Sequence, residues 1–342
     1  MFFLLYVLAE ERRSLNKGSI AFFRLHANHS PFNMKKNPYI SIFTGVSLLF
    51  ILSCSAVSQV QAQQARFRNE EANWDQMAAK VDEMPVFSNK AYLEQVSVAN
   101  NPVEIGKAAK KGKKDLPATA IYSKSKGSVL QYAYSYNCGN CDKVHVAPNA
   151  TAFFIDEDGL AVTNYHVLEP FIEKKEDGEI ARIIAGKKPT DDMNLFFTTY
   201  DNRIFTLKEI LAYDQANDVA IFRVDTQGVK VQPIPLGDAA EIGATVFALG
   251  HPKSNPYYFS SGMVARNYMF NGMKGQGMRM DITADYAVGS SGGPILDEKG
   301  NVCGMVSATV TLVSKDEASK PSDVQMVIKR AIPVEAITKL LK

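Results

Sequence analysis

The chain has almost no surplus charge of either sign. Lys and Arg number 38 against 36 Asp and Glu over 342 residues, a net of +2. A field of that size does not draw in nucleic acid. Cysteine is scarce at four residues, and no second Cys/His pair completes a four-ligand zinc set. No repeat of fixed short period is visible. No apolar run long enough to span a membrane follows residue 62. Nearly half of the residues, 46%, are hydrophobic, enough for a sizeable core. The length allows one large or two modest domains.

The apolar run that does exist lies near the start. Met34-Lys35-Lys36 opens a basic segment, Ile40 to Val57 is apolar, and Val60-Gln61-Ala62 supplies small residues for cleavage. This predicts a secretory signal peptide over 34–62 and an exported protein, periplasmic or extracellular. Lipid anchoring at Cys54 is the second reading. Residues 1–33 precede a sensible start methionine and are read as an over-extended gene model. Removing 1–62 takes away six Lys+Arg and two Asp+Glu, leaving 32 basic against 34 acidic residues and a net of −2.

What the chain does have is a serine set among glycines. Gly289-Ser290-Ser291-Gly292-Gly293-Pro294 lets the backbone fold tightly enough for the Gly289 and Ser291 amides to point into one small space. Two such donors suit the oxyanion of an acyl-transfer intermediate. A serine hydroxyl also needs a base, and the base an orienting carboxylate. Outside the leader the histidines are His145, His166 and His251. His166, in Thr163-Asn164-Tyr165-His166-Val167, emerges where an apolar strand meets a polar turn. Asp218 opens the alternating strand Val219–Val224. Asp214 and Asp225 are rivals better explained as turn acids.

These segments, in the order His, Asp, Ser, resemble the trypsin-like (chymotrypsin-fold) serine peptidases, and most nearly the bacterial exported HtrA/Deg branch. Thr151–Gly159, Pro235-Leu236-Gly237-Asp238, Val246–Pro252 and Ser261-Gly262-Met263-Val264 carry the likeness across about residues 117–342. The resemblance implies an all-β fold of two antiparallel barrels, to which helical spacing of apolar residues adds a C-terminal helix and a helical N-terminal extension. Barrel one is expected over about 117–226, barrel two over about 230–315 and the terminal helix over 332–342. It implies a serine endopeptidase acting on proteins or peptides without metal or cofactor. His166 would be the base, Asp218 its orienter, Ser291 the nucleophile, and Gly289 and Ser291 the oxyanion donors. Val306-Ser307-Ala308 would pair with substrate, with the Ser307 hydroxyl near the carboxylate. Asp285, six residues before Ser291, would sit at the floor of the primary specificity pocket and select Lys or Arg.

The likeness has limits. Ser290 replaces the aspartate with which animal-type trypsins bind a new N-terminus, and no Ile-Val-Gly-Gly sequence occurs, so activation by that ion pair is not expected. After Arg330 a short terminal helix is expected, and no PDZ module. The other reading is a catalytically silent binding or scaffold protein on the same fold.

Three further segments are distinctive. Phe67, Trp74, Met77, Val81 and Met84 share one face at helical spacing within 63–116, either packed on the protease or occluding it; residues 100–116, with a basic run from Lys107 to Lys114, read as a linker. Residues 263–280 hold five methionines among glycines and read as a flexible loop or as core filling. Cys138-Gly139-Asn140-Cys141, near His145, is either half a metal site or a small disulfide loop, the latter favoured in an oxidising compartment. Cys303 reads as an ordinary buried thiol.

Overall fold

The structure, a computed structural model, describes residues 67–84, 95–138, 140–173, 195–314 and 323–342. The segment 34–62 expected to be a signal peptide, Cys54 and the segment 1–33 lie outside the described residues. Among the described residues no helix is long and apolar enough to cross a membrane.

Six strands wrap into the first barrel: β2 (Val129–Asn137), β3 (Val144–Phe154), β4 (Leu160–Thr163), β5 (Leu195–Thr198), β6 (Ile204–Asp214) and β7 (Val219–Asp225), with the two-residue β1 (Ser97–Val98) added in parallel to β6. The pairing of β6 with β7 closes the cylinder. The second barrel is closed in the order β10-β13-β12-β11-β8-β9, from β8 (Thr245–Gly250), β9 (Tyr258–Gly272), β10 (Gly275–Ile282), β11 (Pro294–Leu296), β12 (Val302–Val313) and β13 (Val324–Pro333).

Side-chain alternation explains why the central strands are apolar throughout. Successive residues of a strand face opposite ways. Phe154, Ala161, Ala220 and Phe222 point into the first barrel, while their neighbours Phe153, Leu160, Val162, Val219 and Ile221 point outward into a second core. There they meet Phe247, Leu249, Leu296, Val302 and Ile332 from the second barrel. A strand with core on both faces cannot show a polar period. The cleft between the barrels is therefore floored by a continuous apolar seam.

The second barrel runs further than the sequence indicated. Its last strand is β13, beyond the expected limit near 315, and the expected helix over 332–342 shrinks to Val334–Thr338. Pro333 ends a strand instead of opening a long helix. Leu340 and Leu341 leave the helix because Val103 offers a better partner: its N–H donates to the Leu340 carbonyl, and Val103 and Leu341 form a parallel bridge. The segment read as a linker is likewise a pinned strap. Gly112 N–H donates to Asn301 Oδ1 (2.6 Å), Leu116 N–H to the Glu298 carbonyl (2.8 Å), and Lys107 and Lys111 pair with Glu157 and Asp238.

The helix Glu70–Asp82 starts where Asn69 accepts from the Ala72 N–H (3.1 Å), an ordinary N-cap. It buries Met77 and Val81, the latter against Ala133 and Phe196 of the first barrel. The methionine-rich stretch is a β9–β10 ribbon, not a loop: Met280 is buried, while Met263, Met269 and Met273 are exposed.

Candidate active site

Two paired strands bring the histidine and the carboxylate together. β4 and β7 run antiparallel with Thr163 opposite Ala220, so the chain leaving β4 passes the chain entering β7. Asn164 Nδ2 donates to the Asp218 carbonyl (3.0 Å) and ties the two ends. Asp218 has φ +61°, a left-handed conformation that aspartate tolerates better than most residues. The turn is built by Asp214, which accepts from the Asn217 backbone N–H (2.9 Å) and side-chain amide (2.5 Å). Asp225 accepts from the Gln227 N–H. Both rivals are thus turn acids.

That backbone turns the Asp218 carboxylate onto the start of the helix Tyr165–Ile172. Oδ1 accepts the His166 backbone N–H (3.1 Å), and the two oxygens lie 3.0 and 3.1 Å from His166 Nδ1. The Ser307 hydroxyl donates to Oδ2 (2.8 Å). An acceptor-only carboxylate at Nδ1 requires the proton there, which leaves Nε2 as the basic atom in the neutral ring. Desolvation pulls the imidazole pKa down, but the hydrogen bond and charge of Asp218, with Glu169 adding, outweigh it and hold the pKa above 6.5. The ring still shows an open edge, with the side chain 47% exposed.

The serine sits in a loop whose backbone bonds are nearly all accounted for. Ser290 N–H donates to Ala287, Gly292 N–H to Val306 and Gly293 N–H to Ser290. Among the described residues the amides of Gly289 and Ser291 have no acceptor. The Val288 carbonyl accepts from Lys253 N–H (2.7 Å), and a planar trans peptide then sends the Gly289 N–H the opposite way. Gly289 has φ +98°, and a Cβ there would come within 2.5 Å of the His251 carbonyl. Gly292, at φ +84°, packs directly on the Thr151 carbonyl and the Thr163 hydroxyl. No other residue fits either position.

Thr151, which the sequence did not single out, ties this loop to the first barrel. Its N–H donates to the Ser291 carbonyl and its hydroxyl to the Gly289 carbonyl, each at 2.8 Å. The Thr163 hydroxyl donates in turn to the Thr151 carbonyl (2.7 Å). The available signal was a threonine at each end of the hairpin that leads to His166. Met278 N–H supports Asn217 from the ribbon (2.7 Å).

His166, Gly289 and Ser291 line one cleft of about 170 Å3, with apolar walls from Tyr132, Phe171 and Val288. The Ser291 hydroxyl donates to the Ser307 carbonyl (3.2 Å); no hydrogen bond joins it to the imidazole. Ser307 reaches both groups because β12 bulges between Val306 and Ala308, an extra residue that re-aims its neighbours. The Ala308 carbonyl accepts from the Tyr286 hydroxyl (3.1 Å).

Asp285 is a correction. In Thr283–Tyr286 exposure alternates, with Ala284 and Tyr286 buried and Asp285 outside. Its carboxylate is 77% exposed and pairs with Lys329 Nζ (3.3 Å), so it is not the floor of a buried pocket and is not available there for a substrate cation. His251 is a buried packing residue whose Nδ1 accepts from Tyr257 N–H (3.0 Å). Burial pushes the Cys303 thiol up to about 12, as an inert core thiol requires. Away from the cleft, the ligand atoms of Cys138, Cys141 and His145 lie within 4.8 Å of one another. The Asn140 N–H and neighbouring Cys141 lower the Cys138 thiol to about 7.

Comparison with known proteins places these features in a lineage. Residues 150–305 match the model of the trypsin-like peptidase domain. Protease Do-like 1, chloroplastic, of Arabidopsis thaliana is 28% identical over 195 residues, 55% of this chain and 37% of that protein. The probable periplasmic serine endoprotease DegP-like of Chlamydia trachomatis is 27% identical over 167 residues, 48% of this chain and 29% of that protein. The chain thus spans well under two thirds of the length of these relatives. The crystal structure of Deg5 superimposes with a TM-score of 0.46 at 20% identity, over 65% of this chain and 90% of that one. The segment that brings His166, Asp218 and Ser291 together is a trypsin-like peptidase domain, distantly homologous to the HtrA/Deg proteases.

Proposed function

We propose that this chain is an exported serine endopeptidase that cleaves proteins or peptides through an acyl-enzyme. The observation that carries the reading is the pair of amides, Gly289 and Ser291, that find no acceptor among the described residues and belong to a loop lining the same cleft as an imidazole already held by Asp218. Ser291 Oγ attacks the peptide carbonyl while His166 Nε2 takes its proton and later returns it to the leaving amine. Asp218 fixes the tautomer and stabilises the imidazolium. The two amides hold the oxyanion, where each such donor contributes on the order of 10²–10³ in rate. Water then releases the acyl group by the same base.

The resting hydroxyl bond to Ser307 fits this scheme. A substrate strand laid along Val306-Ser307-Ala308 offers its own N–H to the Ser307 carbonyl. The displaced hydroxyl then turns by one χ1 rotamer towards Nε2. The same resting bond is what favours the second reading, a binding protein without turnover. Labelling with a fluorophosphonate probe separates them: the peptidase reading expects stoichiometric labelling of wild type and none of Ser291→Ala. Absence of Ser291-dependent labelling, with and without an added unfolded protein substrate, rejects it. Export rests on the leader 34–62, and N-terminal sequencing of protein from the periplasm or medium, beginning after Ala62, tests it.

A further inference from the structure

The turn between β2 and β3, with the first residues of β3, carries three groups that the proposed catalysis never uses. Cys138, Cys141 and His145 follow one another as Cys-x2-Cys-x3-His. We propose that they form a binding site for a thiophilic divalent cation of the zinc type, through two Sγ atoms and Nε2, with a fourth position open to water or an outside ligand.

The geometry is close to a ligand set. Cys138 Sγ and Cys141 Sγ are 3.4 Å apart, and Cys141 Sγ is 3.1 Å from His145 Nε2. Zinc–sulfur and zinc–nitrogen bonds of about 2.3 and 2.0–2.1 Å make tetrahedral edges of about 3.8 Å (S···S) and about 3.5 Å (S···N). Both of those edges have to lengthen by about 0.4 Å, while Cys138 Sγ and His145 Nε2, within 4.8 Å of one another, already lie near the reach of one ion. The imidazole is held for the purpose. His145 lies opposite Tyr136 in the ladder, and the two rings stack with centroids 5.4 Å apart, which aims Nε2 at Cys141. Asn140 N–H points at Cys138 Sγ (3.4 Å), a contact that favours the thiolate a metal needs.

The rival fate of the two cysteines is a disulfide. A disulfide makes no use of the aimed imidazole, whereas a metal site needs it as third ligand. Three protein ligands with an open fourth position are the usual arrangement of a zinc ion that also binds something else. Cys141 is exposed, so that position faces outward.

The test uses the mature chain, reduced and stripped with a chelator, then titrated with Co2+ and back-titrated with Zn2+. The expected result is one equivalent of cobalt giving thiolate-to-metal charge-transfer absorption, displaced by zinc. Cys138→Ser and His145→Ala should each weaken binding at least tenfold while circular dichroism stays unchanged. Native mass spectrometry of wild type should retain one zinc ion. The proposal fails if reduced protein shows no charge-transfer band, or if both variants bind as wild type does. A Cys138–Cys141 disulfide in protein isolated from its own compartment without reductant also overturns it. None of these readouts depends on peptidase activity.

Discussion

The interior of the first barrel is built from rings: Phe197 stacks on Tyr132 (5.0 Å) and on Phe222 (4.8 Å), and Phe205 meets Phe154 edge-on. The interior of the second is mostly aliphatic, from Val246, Ala248, Val264, Ile282, Ile295 and Ala331, with Met280, Cys303 and a single ring, Tyr286. The site divides along the same line. His166 and Asp218 sit on the ring-packed barrel in a closed set of hydrogen bonds. Ser291 sits on the aliphatic barrel in a loop that leaves two amides unpaired and borrows support from Thr151. Closed hydrogen bonding thus gathers where the proposed chemistry holds a proton, and amides without an acceptor among the described residues where it would develop charge.

Ser291→Ala should break the functional half of this contrast outright. Peptide hydrolysis is expected to fall by about 10⁴-fold or more with the melting temperature unchanged; residual turnover near wild type in a steady-state assay would sink the nucleophile assignment. Phe222→Ala and Val246→Ala compare the two cores. The first should cost about 3–5 kcal/mol. The second removes two methyl groups and should cost about 2 kcal/mol. Equal losses in urea unfolding would show that a buried ring contributes no more to the first core than a valine does to the second.

Thr151→Val probes the bridge between the halves. It keeps the shape but leaves the Gly289 carbonyl without its side-chain donor, an effect of about 1–2 kcal/mol. The expected outcome is a fall in kcat/KM of about tenfold at that cost, carried mainly by kcat. An unchanged kcat would mean that the oxyanion loop stands without it.

Asp218→Asn sharpens the other side. With the carboxylate charge gone, only Glu169 still opposes desolvation, and the His166 pKa should drop below its wild-type value, read by NMR titration of the ring protons. In wild type the folded pKa is raised above 6.5. The stabilising charge pair is therefore fully present below that pH and lost as pH rises through the folded value. A pKa that rises in the variant refutes this. The smallest effect is expected at Asp285→Ala: stability within about 1 kcal/mol and an unaltered ranking of Arg, Lys and aliphatic substrates in a peptide panel.

Much of the site was legible because its chemistry is local. Ser291 is announced by the glycines that its loop requires, and His166 by the strand that ends beside it. Asp218 could be told from Asp214 and Asp225 by its place at the head of an apolar strand, although that strand is buried on both faces and does not alternate as expected. What escaped depends on contacts far apart in sequence. Thr151 looks like any threonine until Gly292 is packed against its carbonyl. β13 gave no strand period because Val324, Met326 and Val327 are exposed on its outer half, and Pro333 with a run of leucines imitated a longer helix. Asp285 was misplaced because counting back from the nucleophile fixes a distance along the chain but not the face of the strand.

The bonds from Thr151 have a mechanical outcome. Enzymes assembled at a seam risk losing alignment whenever the two halves flex. Here the Ser291 carbonyl is fastened to the strand whose hairpin leads to His166, so the proposed nucleophile and base share one mechanical tie and a shift of either barrel is passed on to both.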